Sequence, residues 1–294
     1  MKIALNSYHP AVAFLPLAAA ICFSMLSFHP VYAAVSLICS MTLALKLNGL
    51  KTVRLSLMLC LPIFLLTVII NTVFNKNGIT VLFYIGSRPV IFEGLMFGLC
   101  SAAALCSVLL WFSCYSAVID SEKFLFLSSR FSPSAALLVS MTLGQASLMR
   151  KKLDEISDAQ AGIYGNERKK LAARLHLAML KISVLLSWSM EDSVQTADSM
   201  HSRGYGTGRM TKMNPYFFGK KDAYLLSVSS VLIILCVVLS AFGFSSFRFY
   251  PVMETVSLDT LSVFGYLAYF AMLSLPLFVE IKEAFQWRFY MSKI

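Results

Sequence analysis

Apolar residues run along this chain in long, nearly unbroken stretches rather than alternating with polar ones. Six such stretches, at about 11–28, 31–46, 55–74, 90–119, 223–245 and 258–280, predict helices. At about 1.5 Å of rise per residue, helices of roughly 20 residues cover a hydrocarbon core of about 30 Å. The second stretch is short and predicts a tilted helix or one that ends in the interface. Residues Thr80 to Ile85 are too few to span and predict an extracellular or re-entrant piece. The expected fold class is an all-α integral membrane protein with about six transmembrane helices.

Between the fourth and fifth stretches the pattern changes. Ser132-Pro133-Ser134 reads as a helix start, with proline pre-set for the first turn, and Arg150, Asp154 and Asp158 step along one face. Gly162 to Asn166 reads as a break. A second helix is expected from about Glu167 to Arg203. On it Glu167, Lys170, Arg174, Lys181, Asp192, Gln195, Ser199 and Arg203 fall within a sector of roughly 80°. Trp188 interrupts that stripe, and the opposite face is Leu, Met, Ile and Val. Such a helix lies along the membrane interface, packs against other helices, or forms part of a solvated pair. Dipping into the bilayer is disfavoured by Lys181 at its middle. The expected organisation is a membrane region over 1–119, a cytoplasmic region with two long helices over 120–222, and a second membrane region over 223–294.

Composition agrees with this pattern. The chain of 294 residues is 58% hydrophobic, more than a soluble fold can hide, and only 14% charged. Its net charge of +10 therefore reads as membrane orientation rather than as a nucleic-acid surface. Lys46, Lys51 and Arg54 place the second connection inside, and Lys282, Arg288 and Lys293 place the C-terminus inside. With six spans the N-terminus is cytoplasmic as well, leaving Lys76, Arg88 and Arg248 outside. The segment 120–222 holds 15 of the 25 lysines and arginines and ten of the 15 acids. Val31-Tyr32-Ala33 resembles a signal-peptide cleavage site, but the run before it is long and more spans follow, so a retained helix is expected.

Little in the chain suggests catalysis or metal binding. All seven cysteines lie inside apolar runs without a C-x-x-C spacing, and the four histidines are scattered. Gly208-Arg209-Met210 lacks the Lys-Ser/Thr of a phosphate loop, and G-x-G-x-x-G is unmet. The sharpest local pattern is Ala197-Asp198-Ser199-Met200-His201-Ser202-Arg203-Gly204-Tyr205-Gly206-Thr207-Gly208-Arg209. Arg203 falls in the last helical turn, where a cation suits the negative end of the macrodipole, and Gly204 can adopt the left-handed conformation that stops a helix. The resulting tip either enters a groove lined with carboxylates or is a routine cap with a lipid-facing basic residue. Spacing alone does not choose between them.

These residues resemble the transmembrane T component of energy-coupling factor transporters, the family that includes the cobalt-transport permease of the Q type. Ala197 to Gly206 resembles the second Ala-x-Arg-Gly signature of that family, with Ser202 in place of the usual alanine. Ala159-Gln160-Ala161-Gly162-Ile163-Tyr164-Gly165 resembles the first, but its arginine is missing, and only Arg168 or Tyr164 stands near. His9-Pro10, Asn71-Thr72-Val73-Phe74 and Gly78-Ile79-Thr80-Val81-Leu82-Phe83 also fit, while Thr142-Leu143-Gly144-Gln145 departs from the usual Leu-Arg-Phe.

The resemblance implies a non-catalytic scaffold in the inner membrane of a bacterium or archaeon, importing a vitamin or transition metal. Its partners would be two cytoplasmic ABC ATPases, which alone bind ATP, a small membrane S subunit that captures the solute, and the lipid bilayer, with no nucleic acid. No cofactor would be bound by this chain. Docking to the ATPases would fall to Ser202, Arg203, Gly204, Tyr205 and Gly206 at one helix tip and to Ala159, Gln160 and Gly165 at the other. Leu137, Met141, Leu148, Leu175, Met179 and Ile182 could form an apolar cradle for the S subunit.

Two other classes fit the residues less well. A permease that binds its own substrate needs polar residues along a membrane pathway, and the stretches offer little beyond Asn71, Glu93 and scattered serines and threonines. An intramembrane enzyme needs paired acids or a metal motif, yet only Glu93, Asp120, Asp259 and Glu280 lie in or near the spans.

Overall fold

Two histidine–proline doublets start the first two helices, and they do so in the same way. α1 (Pro10–Leu26) begins on His9, whose ring accepts a hydrogen bond from the Ala11 N–H at 3.3 Å. α2 (Pro30–Phe74) begins on His29, whose Nδ1 accepts from the Val31 N–H at 3.2 Å. Each proline stands at the first helical position, where its missing N–H costs no hydrogen bond. The structure is a computed structural model. It describes the chain except residues 1–4, 6–7, 76–77, 86–87, 130–131, 165–170, 209–215, 244–246, 252, 255–258 and 292–294.

After α2 come a hairpin of β1 (Val81–Ile85) and β2 (Arg88–Ile91), then α3 (Phe92–Val118), the short α4 (Ser121–Ser128), α5 (Pro133–Tyr164), α6 (Leu171–Ser202), α7 (Lys220–Ala241) and α8 (Thr260–Met291). The chain divides into two compact units. One is Met1–Phe124 with Tyr216–Ile294, and the other is Leu125–Pro215.

In the first unit, five helical segments are long and apolar enough to cross a membrane: Pro30–Leu47, Ser56–Phe74, Phe92–Val118, Lys220–Ala241 and Thr260–Gln286. The protein is thus a helical membrane protein. α1 is apolar as well but has 17 residues, about 26 Å of helix, and is the shortest of the apolar helices among the described residues. Its apolar run is cut at both ends by the His–Pro doublets. α7 ends at Ala241 rather than near 245, where Gly243 adopts φ 87° and donates to the Ser240 carbonyl at 3.0 Å.

The spans Pro30–Leu47 and Ser56–Phe74 belong to one helix, α2, interrupted at Gly49 (φ 72°, ψ 169°). They run in opposite directions, as their pairing with α3 demonstrates. Ser36 and Ser40 meet Trp111 and Cys114, so the first half runs parallel to α3. Asn71 and Cys60 meet Ser101 and Cys106, so the second half runs antiparallel to it. The second half packs closely because Gly94 and Gly98 stand four residues apart on α3. A Cβ at Gly98 would lie 3.3 Å from the Val68 carbonyl and 3.2 Å from the Asn71 Cβ.

One end of this unit gathers the start of α1, the start of α7 and the end of α8. The Leu5 N–H donates to Glu280 Oε1 at 3.2 Å, and the His9 N–H donates to Asp222 Oδ1 at 3.4 Å. Asp222 also caps α7 by accepting from the Gly219 N–H at 2.9 Å. The opposite end holds the hairpin, which the sequence presented only as a short apolar piece. There the fully buried Glu93, in the first turn of α3, accepts from the Thr80 N–H at 3.2 Å and from the Thr80 hydroxyl. Gly78 passes so close that an added Cβ would collide with Glu93 and Ile91. Glu93 therefore clamps the hairpin.

The second unit is an antiparallel helix pair, α5 and α6. Gln145 donates to Asp192 at 2.8 Å, Lys152 lies 5.8 Å over the Trp188 ring, and Lys181 donates to Ser157 at 2.7 Å. As the α5 partner advances, the α6 partner recedes in step. α5 starts on Ser132, whose Oγ accepts from the Ala135 N–H at 3.4 Å. It continues through Gly162 to Tyr164, so the expected break at Gly162 begins later.

Candidate functional site

The end of α6 is the most defined exposed feature of the helix pair. Its last turn closes with the Tyr205 N–H donating to the Met200 carbonyl at 3.0 Å and the Gly204 N–H donating to the His201 carbonyl at 2.9 Å. Those two bonds make a Schellman motif, with Gly204 at the left-handed position (φ 82°). Gly206 adopts φ 87°, and Thr207 Oγ1 donates back to the Gly204 carbonyl at 2.7 Å. Ser202 spends its hydroxyl on the Ser199 carbonyl at 2.9 Å. The result is a tight knob in which Ser202, Arg203, Gly204, Tyr205 and Gly206 are all exposed.

Arg203 immediately precedes the helix stop, and among the described residues it forms no ion pair. An exposed, always-charged planar fork at a rigid helix end can make a bidentate pair with a carboxylate of another chain. Among the described residues, no cluster of three or more metal-ligating side chains is present.

At the end of α5 the picture differs. Ala159 is exposed, but Gln160 is only 5% exposed, so its amide faces inward rather than outward. Gly165 lies outside the described residues. Among the described residues, the α6 end carries an exposed guanidinium and the expected docking residues Ala159 and Gln160 at the α5 end carry no charge; Arg168 lies outside the described residues.

The residues expected to form an apolar cradle differ in exposure. Leu148, Leu175, Met179 and Ile182 are exposed, with Met179 at 72%. Leu137 and Met141 are half-buried. On α6, Leu175, Met179, Ile182, Leu186 and Met190 are all exposed and follow one another at three- and four-residue steps, which makes a single outward apolar stripe. The polar stripe read from the sequence does not face solvent throughout: Lys181 and Asp192 meet α5.

Sequence reasoning missed a polar cluster at the hairpin end of the first unit. His29 Nδ1 accepts from a backbone N–H, so in the neutral ring the proton sits on Nε2, 3.2 Å from the Tyr266 hydroxyl. Burial keeps His29 below its ordinary pKa, and Tyr32 and Phe247 pack edge-on against the ring. The His29-Pro30 doublet was the available signal, since a histidine before a proline at the start of an apolar run is placed to cap a helix. Neither a known family model nor a curated protein matches this chain.

Proposed function

We propose that this chain is the membrane scaffold of an energy-coupling importer, resembling the T component of energy-coupling factor transporters. In this reading the exposed Arg203 on the Schellman-closed end of α6 docks into a cytoplasmic ABC ATPase. The chain does no chemistry itself. It links the ATPases to a small membrane S subunit that captures a vitamin or transition-metal ion.

The observation that carries the proposal is the tip: a fixed cation, free of ion pairs among the described residues, on a helix halted by a left-handed glycine. Three others support it. The helices of the first unit have the length and apolarity of membrane spans. The outward apolar stripe of α6 suits an apolar partner such as an S subunit. The end that gathers Leu5, His9, Asp222 and Glu280 also carries Lys220 and Lys221, which fits cytoplasmic termini in a bacterial or archaeal inner membrane.

A permease with its own solute site is the competing reading. Against it, buried serines of the first unit turn inward on their own helices: Ser40, Ser107 and Ser229 donate to the carbonyls of Leu37, Ala104 and Leu226. Such hydroxyls are already occupied and do not line an open path.

Copurification with energy-coupling ATPases from the same cell tests the proposal. Arg203→Glu leaves insertion intact and weakens ATPase capture by about 30-fold or more, the usual cost of a broken interfacial charge pair. Capture and uptake at wild-type level by Arg203→Glu would overturn it, as would direct binding of the solute by the chain alone.

A further inference from the structure

Between α5 and α6 lies a cleft of about 350 Å³, at the lower end of the size range of small-molecule sites. Its lining includes Gln160, Ser157 and Asp158 from α5 and Arg174, Leu177 and Lys181 from α6. Gln160 is 5% exposed, and among the described residues neither its amide oxygen nor its amide nitrogen has a hydrogen-bond partner. A buried amide left unpaired forfeits its hydration with no return, and native structures rarely tolerate that without a ligand or an ordered water.

The charges around this amide indicate what would satisfy it. Arg174 and Lys181 bring two cations, and among the described residues neither is engaged in an ion pair. Lys181 is held in place by its 2.7 Å bond to Ser157 Oγ. Asp158 contributes one opposing charge. Leu177 gives an apolar wall, buried at 8% exposure.

We propose that this cleft binds a phosphate group, with Arg174 and Lys181 neutralising its charge and the Gln160 amide N–H donating to one of its oxygens. Guanidinium and ammonium groups are the usual phosphate donors, and a site made by two helices holds them at fixed spacing. Asp158 favours a phosphate that also carries a donor, such as a protonated oxygen or the ammonium of a zwitterionic headgroup. The site is independent of the ATPase-docking reading, since it asks only for the chain itself.

The test uses the full-length chain, purified in a maltoside detergent without phosphate buffer. In one arm inorganic phosphate is titrated by calorimetry. In the other the delipidated chain is offered vesicles of phosphatidylethanolamine and phosphatidylglycerol, or of a phosphorus-free glycolipid, and retained lipid is counted by native mass spectrometry. Binding in the first arm assigns the site to free phosphate. Retention of the phospholipids but not the glycolipid assigns it to a headgroup.

In either case Arg174→Ala, an exposed position that leaves the fold intact, weakens binding by at least about tenfold. Gln160→Leu also weakens it, yet leaves the melting temperature of the ligand-free chain unchanged or raised, because an unpaired amide is removed. The proposal is overturned if neither phosphate nor phospholipid binds, or if both variants bind as wild type. A marked fall in melting temperature in Gln160→Leu would equally overturn it, since the amide would then already have a partner.

Discussion

The two units of this protein distribute polar groups in opposite ways. In the unit of long apolar helices, the buried polar atoms are mostly small hydroxyls bonded within their own helix or to a near neighbour, such as Ser24 to Ser36 at 2.6 Å and Trp111 Nε1 to Ser36 at 3.0 Å. In the α5–α6 pair, a lysine, an aspartate and two glutamines sit in or beside the seam, while Met179, Met190 and Ile182 face outward at 72%, 71% and 56% exposure. The first arrangement suits a low-dielectric surrounding, which penalises an unpaired hydroxyl, with Thr72 Oγ1 and the Tyr269 hydroxyl as its buried exceptions among the described residues. The second is inverted relative to an ordinary soluble hairpin. Polar contacts cross the seam of the helix pair while the apolar side chains of α6 stay exposed.

The largest effect that would probe this contrast lies in the first unit. Gly98→Leu drives a side chain into the Val68 carbonyl and Asn71, already 3.3 and 3.2 Å from where a Cβ would be. A loss of about 3 kcal/mol is expected, read as a lower melting temperature and poor monodispersity in detergent. Wild-type behaviour would mean that α2 and α3 do not approach so closely.

Next comes Gly204→Val, which forces a β-branched residue into φ 82°. It costs about 1–2 kcal/mol, confined to the end of α6. Hydrogen exchange should accelerate over 199–207 and leave the first unit unchanged; a global change would erase the distinction between the units.

A smaller effect is expected of Asp192→Leu, which removes the acceptor of Gln145 across the seam. About 1 kcal/mol is lost, and exchange quickens along α5 and α6 alone. Unchanged protection would show that apolar contacts such as that of Leu177, rather than polar ones, hold the pair.

The smallest is a pH effect in the first unit. Tyr8 is raised above its ordinary value of 10.0, first by burial and then by its hydrogen bond to Glu283. Below that ordinary value its contribution to stability is intact. Above it the unfolded chain ionises while the folded chain holds its proton, so stability falls as pH rises past about 10. Tyr8→Phe should flatten this decline in a detergent melt; an identical slope in both proteins would show that Tyr8 is not so placed.

What the sequence made legible follows from how each feature is encoded. Apolar runs declared the spans because their signal is a sum over about 20 residues, and Gly204 after a basic last turn declared the α6 stop because one residue type suits φ 82°. The β1–β2 hairpin was hidden, since its strands are short and its anchor, Glu93, reaches back to Thr80 across the hairpin. The seam of α5 and α6 is not encoded in α6 alone. A polar stripe suits solvent, a membrane interface or another helix, and only the partners on α5, Gln145 and Ser157, place Asp192 and Lys181 in the seam. Gly162 read as a breaker, yet a lone glycine inside a long helix costs only about 1 kcal/mol and was overridden.

Gly49 carries a topological burden out of proportion to its size. Nothing lies within 4 Å of where its Cβ would be, so no neighbour demands a glycine there; the backbone alone does, at φ 72°. Were that residue to relax to ordinary helical angles, the 45 residues of Pro30–Phe74 would form one straight rod of about 68 Å, more than twice the thickness of a hydrocarbon core. The chain would then cross once where it now doubles back, and every later helix would be threaded with reversed polarity.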